Sequence, residues 1–270
     1  MPSLPTQIDG PIAVIGDVHG QVEKFNVVLD KLRALPDYQQ RWIVFIGDLV
    51  DRGPNPKGAL DAFLKLTEEH AKTTAIAGNH ELAMAGALGL VPVPDYSNWD
   101  QRWVENYNAE TTFASYGLEP GDLDGLKSAL PVEHAELLKV IPWVVEHPQL
   151  LFVHAGLDSN TPCDLQLRIL RERDFTLNRP AWLCSKTFVE SSLPPDCRRT
   201  VISGHVPVPE VIIRPKRMLI DTTGGVTGEL SCVLHPENLV VTSGAGPAKV
   251  QRPVAPQRAS KPKSAWWKIW

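Results

Sequence analysis

The chain has no apolar stretch close to the roughly 18 residues needed to cross a bilayer. Its first residues, MPSLPTQIDGP, lack the charged and apolar regions of a secretory signal. These two absences argue against a membrane-spanning or exported protein and predict a soluble, cytoplasmic one. Cysteine is scarce: the four, at 163, 184, 197 and 232, include no Cys-x-x-Cys spacing, which argues against a zinc finger. Reduced thiols are expected, with Cys163 and Cys184 in a loop-rich stretch where they would be exposed. There is no internal repeat and, before residue 247, no low-complexity segment.

What is present begins with size. At 270 residues and 43% hydrophobic content the chain can bury one large core. Charge is uneven: the net value is −4, yet residues 247–270 carry +6 and no acid, leaving about −10 on the rest. This divides the chain into a domain over 1–246 and a basic tail over 247–270. The tail's Pro, Ala, Ser and Lys content predicts disorder up to Ser264. Its end, AWWKIW, favours burial or an interface, either on its own domain or on a protein or membrane surface.

Five short strings follow one another in order: GDVHG at 16–20, GDLVDRGP at 47–54, GNHE at 78–81, HAG at 154–156 and GH at 204–205. Each closes a run of apolar or β-branched residues, as in IAVIGD, WIVFIGD, TAIAGNH, LLFVHAG and TVISGH, the pattern of a buried strand ended by a turn. Polar residues at the carboxyl ends of neighbouring strands are where open α/β sheets place ligands. Together the strings supply Asp17, His19, Asp48, Asn79, His154 and His205, a set able to hold two metal ions. Carboxylate and amide oxygens mixed with imidazole suit manganese, iron or zinc better than calcium. Two such ions side by side are common machinery for attack of water on a phosphate ester. Any one string alone would more often be a turn, and Asn79 alone could be a helix N-cap; their order and shared context are what carry the reading.

The helical patterns at 21–35 and 57–70 follow the first two strings and predict a βαβαβ start. Residues 86–131 read as a less regular insert with helical patches, and 131–142 as another amphipathic helix. The segments MLIDTT and GELSCVLHPENLVVT read as strands joined by tight turns that complete a second sheet. The expected fold is α/β, a two-sheet β-sandwich flanked by helices.

The five strings, over roughly residues 10–242, resemble the phosphoprotein phosphatase family of calcineurin-like metallophosphoesterases. The longer GDLVDRGP, the Glu of GNHE, WVENYNAETTFASYG at 103–117 and LRERDF at 170–175 are similar to its bacterial and phage-type members and to the symmetrical dinucleoside tetraphosphatases. Tyr107 and Asn108 stand where bacterial relatives often have Gly-Gly. The resemblance implies the four-layer α/β/β/α metallophosphoesterase fold. It also implies Asp17 and His19 on one metal, Asn79, His154 and His205 on the other, and Asp48 bridging both. Manganese is the first choice of cofactor, with iron or zinc as alternatives.

The nucleophile implied is a hydroxide between the metals, with His80 as the acid for the leaving group and Asp51 orienting it. Arg52 would bind the substrate phosphate together with Asn79 and a second arginine between HAG and GH, with Arg171 chosen and Arg173 next. The plainer readings are an Asp51–Arg52 pair within a turn and a solvated helix face for Arg171 or Arg173. Glu81 would orient a neighbouring ligand or arginine, and His70, His134, His147 and His235 read as structural or surface residues. The implied activity is a metal-dependent phosphomonoesterase, a Ser/Thr or also Tyr protein phosphatase acting on phosphoproteins or phosphopeptides. The alternatives are a symmetrical dinucleoside tetraphosphate hydrolase and a catalytically inactive phosphate-binding module. No nucleic-acid partner is expected.

Overall fold

The computed structural model describes residues 4–246 and 249–250, so the expectations for the tail from 251 to AWWKIW lie outside the described residues. Strands β1 (Ile12–Ile15), β2 (Trp42–Phe45) and β3 (Thr73–Ala75) pair in parallel, each followed by one of the first three strings. Strands β4 (Val145–Glu146), β5 (Leu150–Phe152), β6 (Thr200–Ser203), β7 (Ile212–Arg214) and β8 (Arg217–Leu219) form a second, five-stranded sheet in the order β4-β5-β6-β8-β7. Strands β9 (Ser231–His235), β10 (Leu239–Thr242) and β11 (Lys249–Val250) extend the first sheet to six, in the order β11-β10-β9-β1-β2-β3.

The placement of β9 and β10 corrects one expectation. The hairpin does not complete the second sheet; β9 pairs antiparallel with β1, Val14 opposite Val233. Only β8, from the MLIDTT segment, lies in the second sheet. The pattern of a strand records that both of its faces are buried, but not which neighbour covers its edge.

Period-two alternation sorts the side chains into two cores. Ile12, Val14, Val44, Ile46 and Ile76 from the first sheet meet Leu150, Phe152, Ile202, Met218 and Ile220 from the second, and this contact makes the sandwich. The intervening residues Ala13, Ile15, Ile43 and Phe45 face outward onto helices α1 (Val22–Arg33) and α2 (Pro56–Glu69). Helix α1 buries Phe25, Val28, Leu29 and Leu32, and α2 buries Leu60, Phe63 and Leu66, spacings that place one apolar stripe on the sheet. Helix α3 (Asn79–Ala87) begins within the GNHE string. The insert folds as α4 (Trp99–Asn106), α5 (Glu110–Ser115) and α6 (Leu123–Ala129). Beyond it come α7 (Val132–Val140), α8 (Cys163–Glu172) and the short α9 (Ala181–Cys184). The two mixed sheets flanked by helices are the architecture expected from the sequence.

All four cysteines are free and buried, so Cys163 and Cys184 are not the exposed thiols expected of a loop-rich stretch. Among the described residues no helix is long and apolar enough to cross a membrane. His134 is a structural pin: its ring links the Tyr116 hydroxyl of the insert at 2.7 Å to Asp61 of α2 at 2.9 Å.

Glu146, in β4, gathers three distant segments. Its carboxylate accepts from Gln7 at 2.9 Å, from Arg171 at 2.7 and 2.9 Å and from Arg199 at 2.8 Å. Burial alone would raise its pKa, but these bonds outweigh burial and bring it down to about 2. A carboxyl lowered in the fold contributes stability above its unfolded pKa and loses it as pH falls toward the folded value. Because Arg171 is half-exposed the contribution is screened to about 2 kcal/mol. Denaturant titrations of Glu146→Gln should therefore show lower stability at pH 7 and a shallower loss between pH 4.5 and 2 than the parent protein. Parallel acid profiles would contradict this assignment.

Candidate metal centre and active site

The residues of the five strings converge at one end of the sandwich, because each follows a strand of a sheet whose neighbours end at the same level. Asp17 and His19 follow β1, Asp48 follows β2, Asn79 and His80 open α3 after β3, His154 follows β5 and His205 follows β6. The structure thus brings together all six expected ligand residues, five of them buried, with His205 partly open. Two groups have ligand atoms within 4.8 Å of one another: His19, Asp48 and His80, and Asp48, His154 and His205. Asp48 is common to both, the position required of a bridging carboxylate. Asp17 falls in neither group; its Oδ2 accepts from the His205 backbone N–H at 2.9 Å, and its buried Oδ1 has no partner.

The local backbone explains why these residue types occur here. His19, Asp48, Asp51, Arg52 and His205 all have left-handed φ, between 44° and 66°. Such conformations cost of order 1–3 kcal/mol each for residues other than glycine and persist only where surrounding bonds impose them. Glycine supplies the room: a Cβ on Gly78 would lie 2.0 Å from Asp48 Oδ1, and one on Gly204 would lie 1.9 Å from Asp17 Oδ1. Glu81 supplies the bonds. Its Oε2 accepts from the N–H of Asp48 at 2.7 Å and of Gly78 at 2.8 Å, while Oε1 accepts from Leu49 at 2.7 Å and Val50 at 3.3 Å. The carboxylate therefore holds the β2 and β3 loops together, rather than orienting an arginine.

The donor set fits divalent metal. His19 and His154 each commit Nδ1 to a backbone carbonyl, Val50 O at 2.9 Å and Ile46 O at 2.7 Å, which leaves Nε2 as the coordinating nitrogen. His205 Nε2 is buried without a partner. Asn79 Oδ1 lies 3.2 Å from His154 Nε2. Burial opposes charge on Asp48, yet the adjacent His154, His80 and His19 hold its carboxyl well below the ordinary range, and Asp48 in turn brings His154 up to about 10 against burial, so His154 would release a proton on binding a metal. Burial and His154 push His205 down to about 3, so its ring is neutral and has a lone pair to give.

His80 sits at the edge of this cluster. Its Nδ1 bonds Asp51 Oδ2 at 2.7 Å, and its buried Nε2 has no hydrogen-bond partner. Asp51 is in turn held by Trp103 Nε1 at 2.9 Å and Thr112 Oγ1 at 2.5 Å, both from the insert. So Asp51 does not simply pair with Arg52 in a turn. Arg52 instead points inward, its Nη1 3.0 Å from His19 Nε2.

Above the cluster opens a cavity of about 720 Å³, lined by Arg52, Asn79, His80 and His205 below and by residues of the insert and of the 179–186 segment above. The structure does not bring Arg171 here: it bonds Glu146 in the second sheet. Nor does it bring Arg173, whose Nη1 donates to the Lys139 and Ile141 carbonyls. The cations that the cavity receives are Arg102, Arg179 and Lys186.

Sequence reasoning also passed over Trp103 and Thr112, although both lie within WVENYNAETTF, and Asp221 after β8. Asp221 is fully buried beside Asp17, with one oxygen bonded to Thr223 Oγ1 and Gly224 N and the other unpartnered. An Asp after the strand-like MLI was the available signal.

Residues 10–230 match the calcineurin-like phosphoesterase family. A symmetrical bis(5'-nucleosyl)-tetraphosphatase of Haemophilus ducreyi is 29% identical over 61% of this chain and 52% of its own length. Serine/threonine-protein phosphatase 1 of Salmonella typhimurium is 42% identical over 55% of this chain and 60% of its own. The chain thus spans little more than half the length of these curated relatives. Among solved structures, the cold-active protein-tyrosine phosphatase of a psychrophilic Shewanella species superposes with a TM-score of 0.61 at 17% identity, covering 92% of this chain and 83% of its own.

Glu81→Gln tests the tie between the loops. Replacing one acceptor oxygen by an amide NH2 strands backbone N–H donors, and should cost about 1–3 kcal/mol in urea denaturation of metal-free protein. A loss below about 0.5 kcal/mol would mean that the carboxylate is not what holds β2 to β3.

Proposed function

This chain belongs to the calcineurin-like phosphoesterase family, and from that premise we propose that it is a metal-dependent protein phosphatase. It would cleave phosphomonoesters of Ser, Thr or also Tyr in phosphoproteins. The observation that carries the reading is the free Nε2 of His80, backed by Asp51 and adjoining an Asp48-centred ligand cluster. We place Asp17 and His19 on one divalent ion, Asn79, His154 and His205 on the other, and Asp48 on both, with manganese as the first candidate and iron or zinc next. Bound there, two such ions would supply an activated water and draw charge off the phosphate.

The chain's own residues do the rest. Arg52, once drawn away from His19 Nε2, has a planar guanidinium that matches two phosphate oxygens at once and so orients the ester. His80, with Nδ1 committed to Asp51, has Nε2 left to hold a proton and hand it to the departing oxygen. Trp103 and Thr112 fix Asp51, so the ring cannot rotate out of line. Asn79 stands between the ligand cluster and the cavity, where it would meet both a metal and a phosphate oxygen.

A second reading, symmetrical hydrolysis of dinucleoside tetraphosphates, is supported by the similarity to the Haemophilus ducreyi protein, whose match is longer though less identical than that of the Salmonella typhimurium phosphatase. The same metal and acid residues would serve both substrates, so only an assay separates them.

With manganese supplied, the protein should hydrolyse an aryl phosphate, and His80→Asn or Asp48→Asn should lower kcat by at least about 100-fold while circular dichroism stays native. Undiminished turnover in either variant would remove the chemistry assigned above. Stripping metal with a chelator should abolish turnover, and manganese should restore it. Side-by-side rates on phosphoserine, phosphothreonine and phosphotyrosine peptides and on diadenosine tetraphosphate decide the substrate; preference for the dinucleotide would select the second reading.

A further inference from the structure

The cavity holds more positive charge than one phosphate needs. Arg52, one further arginine from between HAG and GH and the two ions proposed above would answer the reacting group, yet the wall carries the cations Arg102, Arg179 and Lys186, against a single carboxylate, Glu110. They come from two separate segments, α4 and the stretch before β6. Among the described residues none of the three has an ion-pair partner, whereas Arg33, Arg41, Arg171 and Arg199 are all paired.

Arg102 is built for a ligand. Its guanidinium stacks 4.2 Å over the Trp99 ring, and Nη1 donates to Ser97 O at 3.0 Å and Asn178 Oδ1 at 2.8 Å. Both bonds use the same nitrogen; among the described residues Nη2 and Nε have no hydrogen-bond partner, and the fork is held in place in advance. Trp99, the ring beneath Arg102, meets Tyr107 edge-on with centroids 6.1 Å apart, and Tyr107 meets His80 edge-on at 4.9 Å. Two rings thus stand between Arg102 and His80, so an anion on the free edge of Arg102 has a place of its own in the same cavity.

We propose that Arg102 and Lys186 form a second anion subsite, and that it selects phosphopeptides with an acidic residue next to the phosphorylated one. This rests on the protein-phosphatase reading. A carboxylate meets the free edge of Arg102 with two parallel bonds, while the exposed Lys186 draws acidic sequence toward the cavity from solution.

The test compares kcat/KM for two phosphopeptides that differ only in Asp or Ala on both sides of the phosphorylated residue. Manganese-loaded parent protein, Arg102→Gln and Lys186→Gln are assayed, with diadenosine tetraphosphate as a third substrate. The parent should favour the acidic peptide about tenfold, the worth of one good charge-assisted contact. Added salt should shrink that preference. In Arg102→Gln the ratio should fall toward one, chiefly through KM; Lys186→Gln, an exposed change that does not threaten folding, should reduce it by a smaller factor. Equal use of both peptides by the parent would overturn the subsite and leave the phosphatase reading standing. A variant that lowers both peptides equally would show that these cations grip the reacting phosphate instead, and would also overturn it. Cleavage of the dinucleotide with neither peptide touched would overturn both readings.

Discussion

The geometry of the centre depends on one buried carboxylate that, among the described residues, makes no ion pair. Glu81 accepts four backbone N–H groups, from Gly78, Asp48, Leu49 and Val50. Each donor is a peptide dipole with few alternatives inside the protein, so the arrangement satisfies polar groups that would otherwise be stranded. It also forces Asp48 into a left-handed turn and aims its side chain back over Gly78. The strain in the loop and the placement of the shared carboxylate thus have one cause. The other ligands also lie just beyond strand ends or, for Asn79, at the start of α3, but Asp48 opens the loop that Glu81 clamps through three consecutive N–H groups.

Charge in the centre is balanced around Asp48. It stays ionised because imidazoles from three loops surround it, while Asp17 is driven well above its usual range, first by burial and next by Asp221. Two neighbouring carboxylates thus behave in opposite ways. Arg52 leans on the same cluster, its Nη1 3.0 Å from His19 Nε2.

How far this could be read from sequence depends on range. The five strings were legible because strand, glycine and ligand lie within five residues of one another, so local pattern carries the whole unit. The helices after β1 and β2 were legible for the same reason. The β9–β10 hairpin was not, since its apolar faces would suit either sheet and only its pairing with β1, more than 200 residues away, decides. Arg171 shows the limit for side chains. An arginine in a helical pattern looks the same whether it meets a phosphate or, as here, Glu146 across the second sheet. Trp103 and Thr112 lay in a segment whose likeness to bacterial members was plain, but their bonds to Asp51 span 52 and 61 residues and leave no local mark.

The insert's double duty has a consequence for how this chain can change. Trp103 and Thr112 hold the residue behind His80, while Arg102 and Tyr107, on or next to the same short helix, line the cavity wall. Under the proposed function, recognition and proton delivery therefore share one scaffold. Grafting a foreign insert to redirect specificity would also reset the acid, so variation at this surface is confined to single outward positions such as Arg102, whose neighbour Trp103 must stay.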